Sequence, residues 1–322
     1  MKFTWNINTE ITAADIPELT EELIFCDEFN NIIGENILPN TLKTIKFGMC
    51  FNQQIGLNIL PNSLKSIVFG WGFNQPIEPN VLPDSLKSII FDYGFNQPIE
   101  PNVLPRSLKS IEFGWSFNQV IGENVLPDFL ESIIFVYEYN QVIGENVLPN
   151  SLESIVFGHK FNQVIDENVL PGSLETIMFG HGYNQAIGEN VLPDSLETII
   201  FGYGFNQPLP MLCRLNRLER ISIYTENPIE INVGFLPHSL KYLTTSNENI
   251  VLSLNPESQR MWFSVVCVNL RKFLCITYPI LTDYLDDMYE VIGSEIIDGE
   301  KYDRVVNPEF YQPRSNAKSA RK

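Results

Sequence analysis

The sequence predicts a repeat solenoid, leucine-rich-repeat-like, with about eleven coils of 22 residues and a parallel β-sheet on one face. Two observations on spacing predict this class. A Phe-Asn or Tyr-Asn pair recurs nine times, once every 22 residues, from Phe29 to Phe205. A Leu-Pro pair follows the same period from Leu38 to Leu192 and returns in register at Leu236. A fixed period of roughly 20 to 29 residues is typical of solenoids with leucine-rich coils.

One coil is enough to predict its local structure. Its seven apolar positions, taken from coil 104–125, are Leu104, Leu108, Ile111, Phe113, Phe117, Ile121 and Val125. Alternation predicts a short strand at Ser110–Phe113, which Gly114 ends. No stretch has helical periodicity over about 10 to 12 residues, so we expect strands, turns and at most single 3₁₀ turns. One coil cannot bury its apolar side chains alone, and neighbouring coils must stack on it.

The same period produces two columns of asparagine. The first holds Asn30, Asn52, Asn74, Asn96, Asn118, Asn140, Asn162, Asn184 and Asn206, and the second runs from Asn36 and Asn58 through Asn190. We expect the amides of the first column to satisfy backbone groups in the turns of adjacent coils. A ligand-binding role is the alternative.

The period begins at Ile16 and is lost after about residue 250, which predicts four parts. They are an N-terminal cap or edge strand at 1–15, the solenoid at 16–250, a C-terminal cap at 251–312 and a disordered basic tail at 313–322. Asn255 followed by Pro256 is typical of a helix start, so we expect a helical cap over the last coil. A strand at Phe263–Val268 is the alternative.

The amino-acid composition limits which binding partners and which cellular compartment we expect for the protein. The net charge of −18 argues against nucleic acid or an anionic membrane, because phosphates bind cations. The five cysteines are irregularly spaced without a C-x-x-C, so neither a zinc site nor a disulfide framework is visible, and a reducing compartment is favoured. The N-terminus lacks the apolar core of a signal peptide, and Met261–Ile280 contains Arg271 and Lys272. We therefore expect an acidic, cytoplasmic protein without membrane contact.

The repeat resembles a known family. The pattern F-N-Q-x-I followed by L-P-x-S-L-x-x-I-x-F-G is similar to the FNIP repeat, a leucine-rich-repeat relative found in social amoebae and in giant viruses that infect amoebae. Gln stands here where the family name has Ile. The second half of the pattern also resembles the Leu-Pro class of bacterial leucine-rich repeats. The resemblance implies protein binding and, for a viral protein, the host cytoplasm. Some relatives carry an F-box and act as ubiquitin-ligase adaptors, but no F-box is visible here.

The residues beside the inward ones of each strand are expected to face outward on the concave sheet. For coil 104–125 these are Lys109, Ser110, Glu112, Gly114 and Trp115. Each position repeats as a row across the coils, with ~4.8 Å between neighbouring strands. The position of Trp115 forms the aromatic row, which is the candidate partner-binding site: Trp71, Tyr93, Trp115, Tyr137, His159, His181 and Tyr203, with Met49 before them. The position of Glu112 forms the middle row, which is mostly apolar: Lys46, Val68, Ile90, Glu112, Ile134, Val156, Met178, Ile200 and Ser222.

Two adjacent apolar rows indicate either a contact surface for a protein or cross-strand stacking that stabilises the sheet. The chain's own C-terminal segment is an alternative occupant of such a surface. His159 and His181 are neighbours in the aromatic row, but no Cys or carboxylate cluster accompanies them, so we expect no metal site.

A third row changes sign along the chain. This charge row reads Lys43, Lys65, Lys87, Lys109, Glu131, Glu153, Glu175 and Glu197, followed by Glu219 and Lys241. Residues 38–125 hold six basic and six acidic side chains, whereas residues 126–213 hold one basic and eleven acidic side chains. Duplication of two founding coils explains this pattern without a function. The functional interpretation is a partner of opposite pattern, one such partner being an antiparallel second copy of the chain.

Catalytic motifs are absent from the sequence. There is no G-x-x-x-x-G-K, H-E-x-x-H or G-x-S-x-G, and the acidic residues lie in rows rather than around a pocket. We expect no enzyme activity and no cofactor. The predicted function is a protein–protein interaction scaffold that binds an unknown partner through the exposed sheet face. The alternatives are a substrate-recruiting adaptor for a host ubiquitin ligase and a self-assembling structural protein. A homodimer is one possible oligomeric state of the chain.

Overall fold

The computed structural model of the chain describes residues 1–225, 230–232, 235–245 and 251–253. All of them belong to one compact unit, Met1–Cys267. The predicted helical cap, its alternative strand and the basic tail lie outside the described residues. Of the cap range 251–312, only strand Val251–Ser253 is described.

Twelve parallel strands form one sheet, and their order in the sheet follows the chain. They are β1 (Lys2–Trp5), β2 (Glu22–Phe25), β3 (Thr44–Lys46), β4 (Ser66–Phe69), β5 (Ser88–Phe91), β6 (Ser110–Phe113), β7 (Ser132–Phe135), β8 (Ser154–Val156), β9 (Thr176–Met178), β10 (Thr198–Phe201), β11 (Arg220–Ile223) and β13 (Tyr242–Thr245). Strands β12 (Glu230–Asn232) and β14 (Val251–Ser253) form a separate parallel pair. A 3₁₀ turn lies at Ala13–Asp15.

The sheet register repeats the sequence period. Ser88 pairs with Ser110, and Ser110 pairs with Ser132, so each residue lies beside its equivalent one coil away. Strand β1 joins the edge of the sheet with Lys2 opposite Glu22. The predicted leucine-rich-repeat-like solenoid of about eleven coils is confirmed, and the strand predicted at Ser110–Phe113 is β6.

Inward side chains of successive coils form a core with two columns of aromatic rings. All seven apolar positions of coil 104–125 are buried. Within a coil, the last strand residue stacks on the ring four positions later, with centroids 4.0 Å apart for Phe113 and Phe117. Between coils, rings of the same column stack almost parallel, at 5.3 Å for Phe113 and Phe135 and 6.0 Å for Phe117 and Tyr139. Offset stacking of this kind adds to the free energy from burial and ties each coil to the next.

Gly114 is buried, and its predicted place on the exposed face is wrong. A Cβ atom at this position would lie 1.5 Å from the carbonyl oxygen of Asp92 in the preceding coil. Because the two backbones touch here, only hydrogen fits between them. The turn at Gly114 therefore allows a close approach to the preceding coil.

The first asparagine column forms a ladder of hydrogen bonds along the solenoid. The Asn118 Oδ1 atom accepts the backbone N–H of Asn140 at 2.9 Å and the Gln141 side-chain amide at 3.1 Å. The same backbone bond recurs from Asn8 to Asn206 at 2.8 to 3.0 Å. This confirms the expected role of the amides and gives the Gln of F-N-Q a partner. In the second column, Asn36 to Asn168 have positive φ, which Asn tolerates better than most residues.

Candidate functional site

The aromatic row forms a continuous ladder beside the carboxyl ends of the strands. The strands that carry the row are hydrogen-bonded neighbours, so its members lie one above another. Ring centroids are 4.9 Å apart for Trp71 and Tyr93, 5.5 Å for Tyr93 and Trp115, and 3.7 Å for Trp115 and Tyr137. The ladder continues through both histidines at 4.7 Å and ends with Tyr203 against Tyr224 at 6.2 Å. The structure therefore brings all seven predicted residues together and adds Tyr224.

Stacking decides which part of each ring can contact another molecule. Trp71, Tyr93 and Tyr203 keep 38–42% of their surface exposed, while the rings between them are half-buried. Between Trp71 and His159 the rings lie largely face to face, so their faces cover one another and mainly their edges point outward. Ring edges carry the positive part of the aromatic quadrupole. Ring edges make favourable contacts with apolar groups and carbonyl oxygens.

The two histidines are held towards their neutral form. Burial lowers the pKa of His159, and the neighbouring Lys160 ammonium lowers it further. Burial also lowers the pKa of His181, with a smaller contribution from His159. Lys160 pairs with Glu138 at 2.9 Å, and its ammonium lies 5.5 Å from the Tyr137 ring centre. At neutral pH the ladder itself is consequently uncharged, with one ion pair at its side.

The middle row is only partly exposed. Val68, Ile90 and Ile134 are half-buried, whereas Val156 and Ser222 are buried. The outer sheet face thus carries an apolar strip beside the aromatic row. No group of three or more metal-ligating side chains occurs among the described residues. In the same part of the chain, no helix is long and apolar enough to span a membrane.

The charge row lies near the amino ends of the strands, and several of its members are already paired within the chain. Lys43 pairs with Glu21, which the sequence analysis did not include in the row. Lys109 pairs with Glu131 at 2.5 Å, where the row changes sign. Near its other end, Arg217 pairs with Glu197 and lies 3.7 Å from Glu175. The binding role of this row remains a prediction.

Comparison with protein families identifies the repeat. The FNIP Repeat family matches residues 8–50, 51–94, 95–138, 139–182 and 183–212, which together make up more than half of the chain. The chain belongs to the FNIP-repeat family. FNIP repeats and leucine-rich-like solenoids are folds of scaffold proteins, which agrees with the absence of catalytic motifs.

Among solved structures, this FNIP-repeat chain is similar to CroV588, a circular LRR protein of a giant virus. The TM-score is 0.70 and the sequence identity 48% over 74% of this chain. The match covers 35% of CroV588, so the chain spans about a third of that protein. A comparison with curated proteins found no match.

The FNIP coils also expose apolar side chains that the sequence analysis missed. Val120, Val142 and Val164 follow F-N-Q or Y-N-Q in adjacent coils and are more than half exposed. Phe129 is 58% exposed and stands where most coils carry Ser. The signal for Phe129 was present in the sequence, because it is the one aromatic residue in a column of Ser that, between residues 41 and 239, otherwise departs only at Thr41 and Arg217.

Proposed function

We propose that this FNIP-repeat solenoid is a non-enzymatic scaffold that binds a protein through the aromatic row and the adjacent middle row. The observation that carries the proposal is the unbroken ladder from Trp71 to Tyr203, which presents ring edges beside an apolar strip. Aromatic side chains are enriched among the residues that dominate binding at protein interfaces. The family and the fold, typical of interaction scaffolds, support the same role.

The proposed partner has an apolar contact surface with main-chain carbonyl groups directed at the ring edges. The proposal includes a cytoplasmic location, supported by three unpaired cysteines among the described residues, Cys26, Cys50 and Cys213. It also includes the absence of catalysis, supported by the lack of a catalytic motif in the sequence.

The test removes three rings of the ladder and compares the result with the truncation of three exposed apolar side chains elsewhere. The variant is Trp71→Ala with Tyr93→Ala and Trp115→Ala. The matched control is Val120→Ala with Val142→Ala and Val164→Ala, three exposed apolar side chains on adjacent coils. A partner recovered from the native cell is purified, and its binding to each variant is measured by calorimetry.

We expect the ring variant to bind at least about tenfold more weakly and the control to bind like the wild type. Circular dichroism and thermal unfolding check that the ring variant is folded at the assay temperature. Unchanged affinity in the folded ring variant contradicts the proposed face. Equal loss in both variants contradicts the assignment of binding to the rings.

A further inference from the structure

The charge row contains three charges without an ion pair among the described residues and a fourth with one long contact. Lys65, Lys87 and Glu153 are exposed and have no ion pair in the described part of the chain. Among the same residues, the ion pair of Glu175 is the 3.7 Å contact with Arg217. Lys65 and Lys87 lie one coil apart, as do Glu153 and Glu175, so like charges face each other at roughly 5 Å between strands. Opposite charges from another molecule would relieve this repulsion.

The four charges are arranged symmetrically about the paired residues Lys109 and Glu131. Lys87 and Lys65 lie one and two coils before Lys109, and Glu153 and Glu175 lie one and two coils after Glu131. A two-fold axis parallel to the strands and passing between Lys109 and Glu131 reverses the order of coils. A second copy related by that axis would place its Glu153 opposite Lys87 and its Glu175 opposite Lys65. The row is therefore complementary to itself, as an isologous interface requires.

The exposed Phe129 lies at the centre of this arrangement. The Lys109 ammonium lies 5.7 Å from its ring centre and bonds to Glu131 on the other side. In most other coils this position carries Ser, whose hydroxyl donates to a leucine carbonyl of the preceding coil, as Ser107 does to Leu86 at 2.6 Å. Phe129 has no hydroxyl group to make this hydrogen bond, and it exposes an aromatic ring. An apolar centre flanked by charges is the arrangement found in protein interfaces.

We propose that the charge row and Phe129 form a self-association surface, and that its partner is a second copy of this chain. The axis offsets the two Phe129 rings by about one strand spacing along the stack, with the Lys65–Glu175 and Lys87–Glu153 pairs on both sides. The proposed contact uses residues other than those of the aromatic row. A failure of self-association therefore leaves the proposed function in place.

Sedimentation velocity of the full chain tests the self-association. We expect a dimer at about 50 µM protein and about 50 mM NaCl, and dissociation at about 500 mM NaCl, because salt screens exposed charges. A monomer up to about 100 µM at low salt overturns the proposal.

Charge reversal tests which residues form the contact. Lys65→Glu with Lys87→Glu makes the free part of the row acidic, and Glu153→Lys with Glu175→Lys makes it basic. Each variant alone is expected to be monomeric, because like charges would face each other. A 1:1 mixture is expected to form a heterodimer, since every facing pair is then opposite in charge. The matched control, Glu123→Lys with Glu145→Lys, changes exposed acidic residues on adjacent coils outside the row and is expected to dimerise like the wild type.

Phe129→Ser tests the centre of the contact without weakening the fold. Serine is the residue of neighbouring coils and can restore the missing bond to the Leu108 carbonyl, so we expect no loss of thermal stability. We expect the dimer dissociation constant to rise at least about tenfold. Dimerisation of the single charge variants, a mixture that stays monomeric, or an unchanged dissociation constant in Phe129→Ser each overturns the proposal.

Discussion

Two residues in the core make the solenoid less stable than its repeat pattern allows. Tyr139 and Tyr183 replace Phe in the second aromatic column, and their buried hydroxyl oxygens have no hydrogen-bond partner among the described residues. Burial raises the pKa of both phenols above their ordinary range. A buried hydroxyl without a partner loses its hydration and gains nothing in return.

Replacing these tyrosines by phenylalanine is expected to stabilise the chain. Tyr139→Phe and Tyr183→Phe keep the ring and its stacking but remove the unsatisfied oxygen, so each is expected to raise the free energy of unfolding by about 1 kcal/mol. Equilibrium urea denaturation measures the change. The reverse substitution, Phe117→Tyr, is the control and is expected to lower the free energy by about 1 to 3 kcal/mol. A loss of stability in the phenylalanine variants would show that the hydroxyls are satisfied in solution.

The two histidines of the aromatic row are expected to make stability depend on pH. Their pKa values are lowered in the folded chain, so protonation favours the unfolded state. The free energy of unfolding is therefore highest above the ordinary histidine pKa of 6.5, where both side chains are neutral, and falls as the pH drops below that value. His159→Tyr with His181→Tyr installs the ring of neighbouring coils and removes the titration. Calorimetric scans measure the Tm of the variant and of the wild type between about pH 7.5 and about pH 5. We expect the Tm of the variant to exceed that of the wild type by more as the pH falls. A Tm difference that stays constant would show that the two histidines do not cause the pH dependence.

At the scale of one coil, the asparagine ladder joins each turn to the next. Asn118→Ala removes the oxygen that accepts from Asn140 and Gln141, so the half-buried backbone N–H of Asn140 loses its partner. We expect the free energy of unfolding to fall by about 1 to 3 kcal/mol, measured by urea denaturation. The control is Asn118→Asp, which keeps an accepting oxygen and is expected to lose less. Equal losses in both variants would show that the bond contributes little.

Features that the period determines were predictable from the sequence, and features that depend on contact between coils were not. The spacing predicts β6 because a repeated apolar alternation places the same side chains inward in every coil. The burial of Gly114 results from the backbone of the preceding coil, which no pattern within one coil reveals. The sequence likewise places Trp71 and Tyr93 in one row but does not show that stacking turns ring edges outward. The pairing of Lys43 with Glu21 follows the same period, because Glu21 stands 22 residues before Lys43.

Over the whole solenoid, charge is distributed unevenly along the chain. The stability of each coil depends on the coils stacked against it. Coils in residues 38–125 are neutral in sum, whereas those in residues 126–213 carry ten more acidic than basic side chains. Strand spacing holds these carboxylates within roughly 5 Å of the next coil. In a repeat array, stability is approximately a sum of coil and interface terms, so this repulsion weakens the acidic coils locally.

Salt is therefore expected to stabilise the two parts of the solenoid unequally. Raising the NaCl concentration from about 20 mM to about 500 mM shortens the electrostatic screening length from tens of ångströms to a few ångströms. This reduces the repulsion between the acidic coils. It also weakens ion pairs such as Lys43–Glu21. Hydrogen exchange followed by mass spectrometry measures β8 to β10 against β3 to β5, in the Phe129→Ser variant so that self-association does not contribute. We expect exchange to slow roughly threefold more in β8 to β10 than in β3 to β5. General salt effects on apolar burial act on both sets of strands, so equal slowing would show that the acidic rows do not govern local stability.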